Sequence, residues 1–403
     1  MSGTQWICCQ LGAREHYAVP RVLHVANSLC NFITDAWVPP GNLFGLTTRM
    51  RDRFHPELAT APVQTWNFAT TAFELQAQAR RLHGWQLILL RNRWFQQKAL
   101  DAIGRITASL DYDSKDAPAL FTYSYAAHDI LRFGKQQGWT TVLGQIDPGL
   151  SEERIVARIT ETSQLQHCDW QPAPAEYWDN WRKECELADR IVVNSTWSRD
   201  ALLEEGITAE KIRIIPLAFK GTTRKVGFNR EYPSVFSHGR PMRVLFLGQI
   251  NLRKGAEPLL EAVKLLSGEP IEFWFVGPIQ IPVSAQLKRE RQARWLGSVS
   301  RSETAGYYRQ ADLFIFPTFS DGFGLTQLEA QAWRLPIVAS KFCGDVVRNG
   351  KNGILLPEVS GEAIAKVLLD LAHNPDRLRE MAAQSGVDEK FSLSSLASSL
   401  LNL

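Results

Sequence analysis

The stretch DLFIFPTFSDGFGLTQLEA, residues 312–330, decides how this chain folds. Its first half is an apolar run with the length and composition of a buried strand, and its second half is made of helix formers. Between them the chain turns through Asp321, Gly322, Phe323 and Gly324, and Glu329 follows inside the helical part. A helix that begins near Leu325 points unsatisfied N–H groups and the positive end of its dipole back over the strand end. Gly322 and Gly324 are expected to let the backbone approach an anion closely, where a Cβ would obstruct it. Glu329 lies about five residues into the helix, roughly 7 Å further along at 1.5 Å per residue. The two carboxylates can therefore flank a diphosphate, Asp321 facing hexose hydroxyls and Glu329 ribose hydroxyls. An ordinary loop with a capping acid is the other reading of these residues alone.

A second corner has the same form. LFLGQINLRKG, residues 245–255, ends a strand at Gly248, passes Gln249, and delivers Arg253 and Lys254 before a helix. Cations there would neutralise a leaving diphosphate. Alone, RKG is an unremarkable solvated turn, and its value comes from pairing with the acid-glycine corner.

Around these corners, short β-rich runs alternate with helical patterns, the signature of parallel sheets with crossover helices. QWICCQL reads as a first strand, with a tight turn at Gly12 and a helix from about Tyr17 toward Leu29 that holds Pro20 in its first turn. PALFTYSY, TTVLGQI, DRIVVNS and KIRIIPLAF read as further strands. DILRFGKQQG is a helix capped by Gly138, and another is capped by Ser195 or Thr196 and stopped by Gly206. Residues 220–240 are polar, broken by Gly and Pro, and read as a linker. The pattern then restarts with MRVLFLG, IEFWFVG, DLFIFP and PIVAS as strands. This divides the chain into a first domain over 1–225, a second over 240–388, and a closing helix over 389–403. Two open parallel sheets in series leave a cleft at the carboxyl ends of their strands, where such sheets bind ligands.

Composition agrees with two domains and narrows the class. The 403 residues carry 22 % charged side chains and a net charge of +3, with no global pull toward nucleic acid. The six cysteines form neither a C-x-x-C pair nor a dense framework, so neither a zinc site nor a disulfide scaffold is indicated. No apolar run reaches membrane-spanning length and the N-terminus lacks signal-peptide character, so a cytoplasmic protein is expected.

The second half resembles the nucleotide-binding domain of retaining GT-B glycosyltransferases of family 4. The resemblance is carried by GQINLRKG, by DGFGLTQLEAQAWRLPIVAS, and by CGDVVRNGKNGILLP, and it extends more loosely over residues 186–219. It implies an α/β GT-B fold: two Rossmann-like domains facing each other across a cleft, the C-terminal helix crossing back to the first. It implies transfer of a hexose from a nucleoside diphosphate sugar to a glycan or lipid-linked acceptor, on the same face and without metal or other cofactor. By the same resemblance Gly248, Gln249, Arg253 and Lys254 belong to the donor site, Arg253 and Lys254 holding the diphosphate. Asp321, with the backbone of Phe323 and Gly324, holds the sugar, Gly322 and Leu325 belong to the same donor site, Glu329 holds the ribose, and Val299 lines the nucleobase. Asp321, Lys254 and Arg253 are the candidate catalytic groups, and Gly12 marks the glycine loop of the first domain.

This chain departs from the family pattern at three points. The first acid is Asp321 instead of Glu, Gln249 stands where many members have Arg, and VLGQIDP offers Gln145 and Asp147 where many members place a His. His128 is the candidate to replace that His, with His16 the other option. The departures keep two rival readings open: a catalytically silent nucleotide-sugar-binding protein, and a GT-B epimerase or hydrolase. Asp111 to Asp113 imitate a metal-binding D-x-D without a strand to feed it, and GFGLTQ is half of a dinucleotide fingerprint with Gln327 in place of its third glycine. In the first domain, ten of the thirteen tryptophans lie at or before Trp197, which suits sugar stacking as well as ordinary packing. The span from Leu75 to Leu100 carries Arg80, Arg81, Arg91, Arg93 and Lys98 among aromatics and no acid, which fits either a solvated helix pair or peripheral contact with an anionic membrane.

Overall fold

The computed structural model describes residues 4–42, 44, 50, 53–109, 117–165, 170–219, 228–284 and 290–403. The D-x-D decoy at Asp111 to Asp113 lies outside them.

Two all-parallel sheets organise the chain. The first contains β1 (Trp6–Gln10), β2 (Leu29–Thr34), β3 (Val63–Gln64), β4 (Ala119–Tyr123), β5 (Thr140–Gly144), β6 (Arg190–Val193) and β7 (Ile212–Ile214), in the order β3-β2-β1-β4-β5-β6-β7. The second contains β8 (Met242–Leu247), β9 (Ile271–Val276), β10 (Ala293–Gly297), β11 (Leu313–Phe316), β12 (Ile337–Ala339) and β13 (Gly353–Leu355), in the order β10-β9-β8-β11-β12-β13. Strands such as WICCQ, ALFTY, IEFWFV and LFIF are buried at every residue. Continuous apolar runs of this kind are what a sheet covered on both faces requires.

Both sheets reverse their winding once, between β1 and β4 and between β8 and β11. The corners singled out in the sequence are the segments that leave β8 and β11, so they meet at the switch point of the second sheet, where open α/β sheets take ligands.

Helices cover the sheets: α1 (Ala18–Val25), α2 (Asn67–Ala79), α3 (Gly84–Ser109), α4 (His128–Gln136), α5 (Leu150–Thr162), α6 (Ala175–Leu187) and α7 (Thr196–Glu204) in the first domain. The second carries α8 (Ala256–Leu265), α9 (Arg301–Gln310), α10 (Thr326–Ala332), α11 (Gly361–His373) and α12 (Pro375–Gln384). The last helix, α13 (Leu393–Leu401), returns to the first domain, where Leu396 and Leu400 join the core cluster of Trp6, Tyr17 and Phe121. Ser195 caps α7 by accepting from the Ser198 amide, and Gly206, at φ 83°, ends it.

Two expectations are corrected. The helix expected from Tyr17 toward Leu29 ends at Val25; the chain then turns at Asn27 (φ 55°) and Leu29 opens β2. Tyr17 is itself left-handed, so it precedes the helix. No helix among the described residues is long and apolar enough to cross a membrane.

Candidate functional site

The two corners of the second domain pack on each other. An added Cβ at Gly255 would run into the carbonyl oxygen of Pro317, so only glycine permits the approach. The Arg253 carbonyl accepts from the Phe319 amide at 2.8 Å and from the Thr318 hydroxyl at 3.0 Å. With the corners locked, Lys254 forms an ion pair with Asp321 and lies 5.0 Å over the Phe316 ring. Burial, with the Arg253 charge alongside, pulls the Lys254 ammonium down to about 7, against Glu152 and Cys343, which act the other way.

A cavity of about 450 Å3 opens over this pair. Gly248, Gln249, Arg253, Lys254, Asp321, Phe323, Gly324 and Leu325 line it, together with Thr326 at the start of α10. The Thr326 hydroxyl is buried and has no hydrogen-bond partner among the described residues, as expected of a donor that waits for an anion. Val299 packs against the same apolar cluster as Leu247 and Leu325, which line the cavity, but does not itself line it. Glu329 is the fourth residue of α10; it accepts from the Tyr308 hydroxyl at 2.8 Å and does not line the cavity wall.

The glycines act differently from expectation. Gly322 is buried against the first domain: a Cβ there would meet the Ile146 carbonyl oxygen, and its own carbonyl accepts from the Ser195 hydroxyl at 2.8 Å. It permits the two domains to touch. At Gly324 the φ of 82° and the Phe316 ring, 2.6 Å from an added Cβ, are what demand glycine.

Arg253 is also more than a loose cation. Its guanidinium donates to the Ser320 carbonyl at 2.8 Å and pairs at 3.3 Å with Glu152, which sits in the first turn of α5 in the other domain. Glu152 takes a further bond from the Ser320 hydroxyl at 2.8 Å, and burial raises its carboxyl above the usual range. The guanidinium thus joins the domains across the cleft floor.

The first domain supplies a wall that sequence reasoning missed. After Gly12, whose amide donates to Asp35 at 2.9 Å, Arg14 and Glu15 line the same cavity as Lys254. Three successive non-glycine residues, Glu15, His16 and Tyr17, hold φ of 51°, 50° and 60°. Such a run is costly. The buried Tyr17 ring, set edge-on against Phe32 and Trp37, anchors it, and the Gln10 amide fixes the loop by donating to the Gly12 and Arg14 carbonyls. The strained turn presents the Glu15 carboxyl, half-buried, to the cavity, where it accepts from the Tyr123 hydroxyl at 3.2 Å. Burial pushes it up to about 7, against the Tyr123 bond and Arg14. The legible hint was a base and an acid, Arg14 and Glu15, two residues after a glycine at the end of a first strand. Nothing in AREHY betrays the left-handed run.

His128 is not brought to the site. It opens α4, its ring sits 3.1 Å from the Asp129 carboxylate, its amide is bound by Glu184, and it lines none of the cleft cavities described here. His16 does face the second domain, with the Arg301 guanidinium 2.8 Å from its Nε2. Where the family pattern has a His, Gln145 uses both ends of its amide. It accepts from the Trp181 indole at 3.0 Å and donates to the Tyr125 hydroxyl at 3.1 Å and Asp147 Oδ1 at 3.2 Å.

Two parallel-sheet domains that face each other across a cleft, the last helix returning to the first, define the GT-B class. Residues 241–374, within the second domain, match the family model for glycosyl transferases group 1. The chain is 29 % identical over 232 residues to a D-inositol 3-phosphate glycosyltransferase of Rhodococcus erythropolis, covering 53 % of this chain and 52 % of that protein. It is 28 % identical over 158 residues to the capsular polysaccharide biosynthesis glycosyltransferase CapM of Staphylococcus aureus, covering 36 % and 41 %. The chain thus spans about half the length of the curated relatives it matches. The Anabaena Alr3699/HepE structure with UDP and glucose superposes over 99 % of this chain and 98 % of its own, with TM-score 0.61 and 13 % identity. A sucrose-phosphate synthase from Thermosynechococcus elongatus gives TM-score 0.60 at 17 % identity, over 98 % and 97 %. These likenesses establish the GT-B fold over the whole chain.

Proposed function

We propose that the protein is a retaining glycosyltransferase that moves a hexose from a nucleoside diphosphate sugar to a glycan or lipid-linked acceptor. One observation carries the reading: Lys254, Asp321 and the unpartnered Thr326 hydroxyl line a single cavity at the second sheet's switch point, and its opposite wall is first-domain Arg14 and Glu15. The names of the relatives and the UDP and glucose held by the HepE structure support it.

In this reading the diphosphate replaces Asp321 as the partner of the Lys254 ammonium and takes hydrogen bonds from the Thr326 hydroxyl and amide. Asp321, released, turns to hexose hydroxyls, Glu329 holds the ribose, and Val299 borders the base. Lys254 and the Thr326 hydroxyl and amide stabilise charge on the leaving diphosphate as the sugar becomes oxocarbenium-like, so no metal is needed for that task. The acceptor hydroxyl attacks from the same face and passes its proton to a phosphate oxygen. Glu15, on the acceptor side, orients the reacting sugar, a role no histidine fills among the described residues.

Incubation with a panel of labelled nucleotide sugars tests the reading. Slow donor hydrolysis that keeps the anomeric configuration is expected for at least one sugar. Tight nucleotide binding with no turnover of any of them would leave the silent binding protein as the better account.

A further inference from the structure

Beside the cleft lies a second cavity, of about 620 Å3, within the roughly 300–1,000 Å3 of small-molecule sites. Its walls hold Trp85, Tyr125, Trp170, Tyr177 and Trp178, and Arg253 separates it from the cavity of Lys254. Tyr125 and Tyr177 stack at 4.7 Å with 17° between their planes, and Trp85 tilts against Tyr177 at 4.8 Å. A third cavity of about 590 Å3 covers the carboxyl ends of the first sheet; it shares Tyr125, Tyr177, Trp85 and Asp147 with the aromatic one and Arg14 with the cleft.

The charges in these walls exclude one class of ligand. The aromatic cavity carries Asp147, Glu152 and Glu153 against Arg253 alone, whose charge Glu152 already meets. Over the first sheet, Arg53 pairs with Asp35 at 3.2 Å and Arg91 with Glu74 at 2.8 Å. A phosphate would face carboxylates in the first and, in the second, two cations already engaged and Arg14, whose charge already acts on Glu15. Hydroxyls would find acceptors. Asp147 Oδ1 takes the Tyr125 hydroxyl, the Gln145 amide and the Gly149 amide, a set that fixes the carboxylate's plane against the aromatic wall. Two hydroxyls also wait without a partner among the described residues: Ser124 Oγ, in a residue 3 % exposed that lines the cavity over the sheet, and Thr160 Oγ1, in the aromatic cavity.

We infer that the acceptor is an uncharged oligosaccharide, its attacked ring over the first sheet beside Ser124 and its next ring stacked in the aromatic cavity on Trp85 and Tyr177. The inference rests on the transferase reading and fixes its acceptor class. Sugar C–H faces pack on the rings, and the hydroxyl edge meets Asp147 and Thr160. A phosphorylated acceptor, of the kind named for the Rhodococcus relative, would meet the acidic wall of the aromatic cavity.

The test is saturation-transfer NMR on the full chain loaded with UDP, using neutral glucose, galactose and mannose trisaccharides, and inositol 3-phosphate and farnesyl phosphate in separate arms. At least one neutral trisaccharide is expected to bind, and Trp85→Ala and Tyr177→Ala are each expected to weaken it about tenfold. UDP affinity, measured by calorimetry, should stay unchanged in both variants and so reports folding. Thr160→Val, which keeps the shape, should weaken binding less but detectably. Binding of only the phosphorylated probes, saccharide binding indifferent to both aromatic variants, or no saccharide binding by UDP-loaded protein overturns the inference alone. Failure of the unaltered protein to bind UDP removes the donor reading, and the inference with it.

Discussion

At the scale of single residues, Lys254 and Glu15 carry the account, since each is a charged group held where its charge is costly. Removing the Lys254 ammonium leaves a bound diphosphate without its nearest cation. Lys254→Ala is therefore expected to weaken UDP binding by about 10- to 100-fold, the worth of a charge-assisted hydrogen bond, in calorimetric titration. The same group predicts a pH dependence. Without ligand Lys254 titrates near 7, and a bound anion raises that value, so binding takes up a proton when the pH lies between the two. Affinity for UDP should be full just below 7 and fall by up to about tenfold per pH unit above it. Lys254→Arg, always charged, should flatten the decline; a slope unchanged in that variant would assign it elsewhere. Glu15→Gln keeps the shape of the strained turn and removes the charge. We expect kcat to drop about 100-fold with donor KM little changed, and the limb of the rate profile near pH 7 to disappear.

At the scale of elements, the corners after β8 and β11 were legible because strand, glycine and helix start follow one another within a few residues. The same rule fails for β10 and β13. The strand β10 is an edge whose residues alternate in burial, and its ARWLG lacks the apolar run of a central strand. Only three residues make up β13. The strand β2 goes unread because LCNFIT follows α1 after one left-handed turn at Asn27, a residue no breaker flags strongly. The first-domain half of the site was hidden for a related reason: its geometry comes from a left-handed run of non-glycine residues that tertiary packing of Tyr17 enforces. The sequence marks Gly322 and Gly324 as special, and the structure adds a packing reason, since what fills the space of their missing Cβ is Ile146 and Phe316. A prediction belongs to this scale. Gly322→Ala should force the α10 corner off Ile146 and misplace the cleft walls, cutting transfer about 100-fold while UDP binding holds, as steady-state kinetics and calorimetry can separate.

At the scale of the molecule, the domains are joined by polar bonds that include Arg253 with Glu152, Ser195 with the Gly322 carbonyl, and the Thr196 amide with Asp345 at 2.8 Å. The returning helix α13 adds an apolar anchor. Leu400, fully buried in the first-domain core, should cost about 2–5 kcal/mol when replaced by Ala, read as a lower midpoint in urea. The chain's fold was readable at this scale because each sheet repeats the same winding, which alone brings two switch points face to face.

The central claim is that Lys254 and the start of α10 converge on one pyrophosphate in the cleft. A crystal structure of the protein with UDP tests it most directly. The account predicts the diphosphate between Lys254 Nζ and the Thr326 hydroxyl and amide, with Asp321 freed from its ion pair. UDP bound elsewhere, or bound there with the Lys254–Asp321 pair intact and Thr326 untouched, would contradict it.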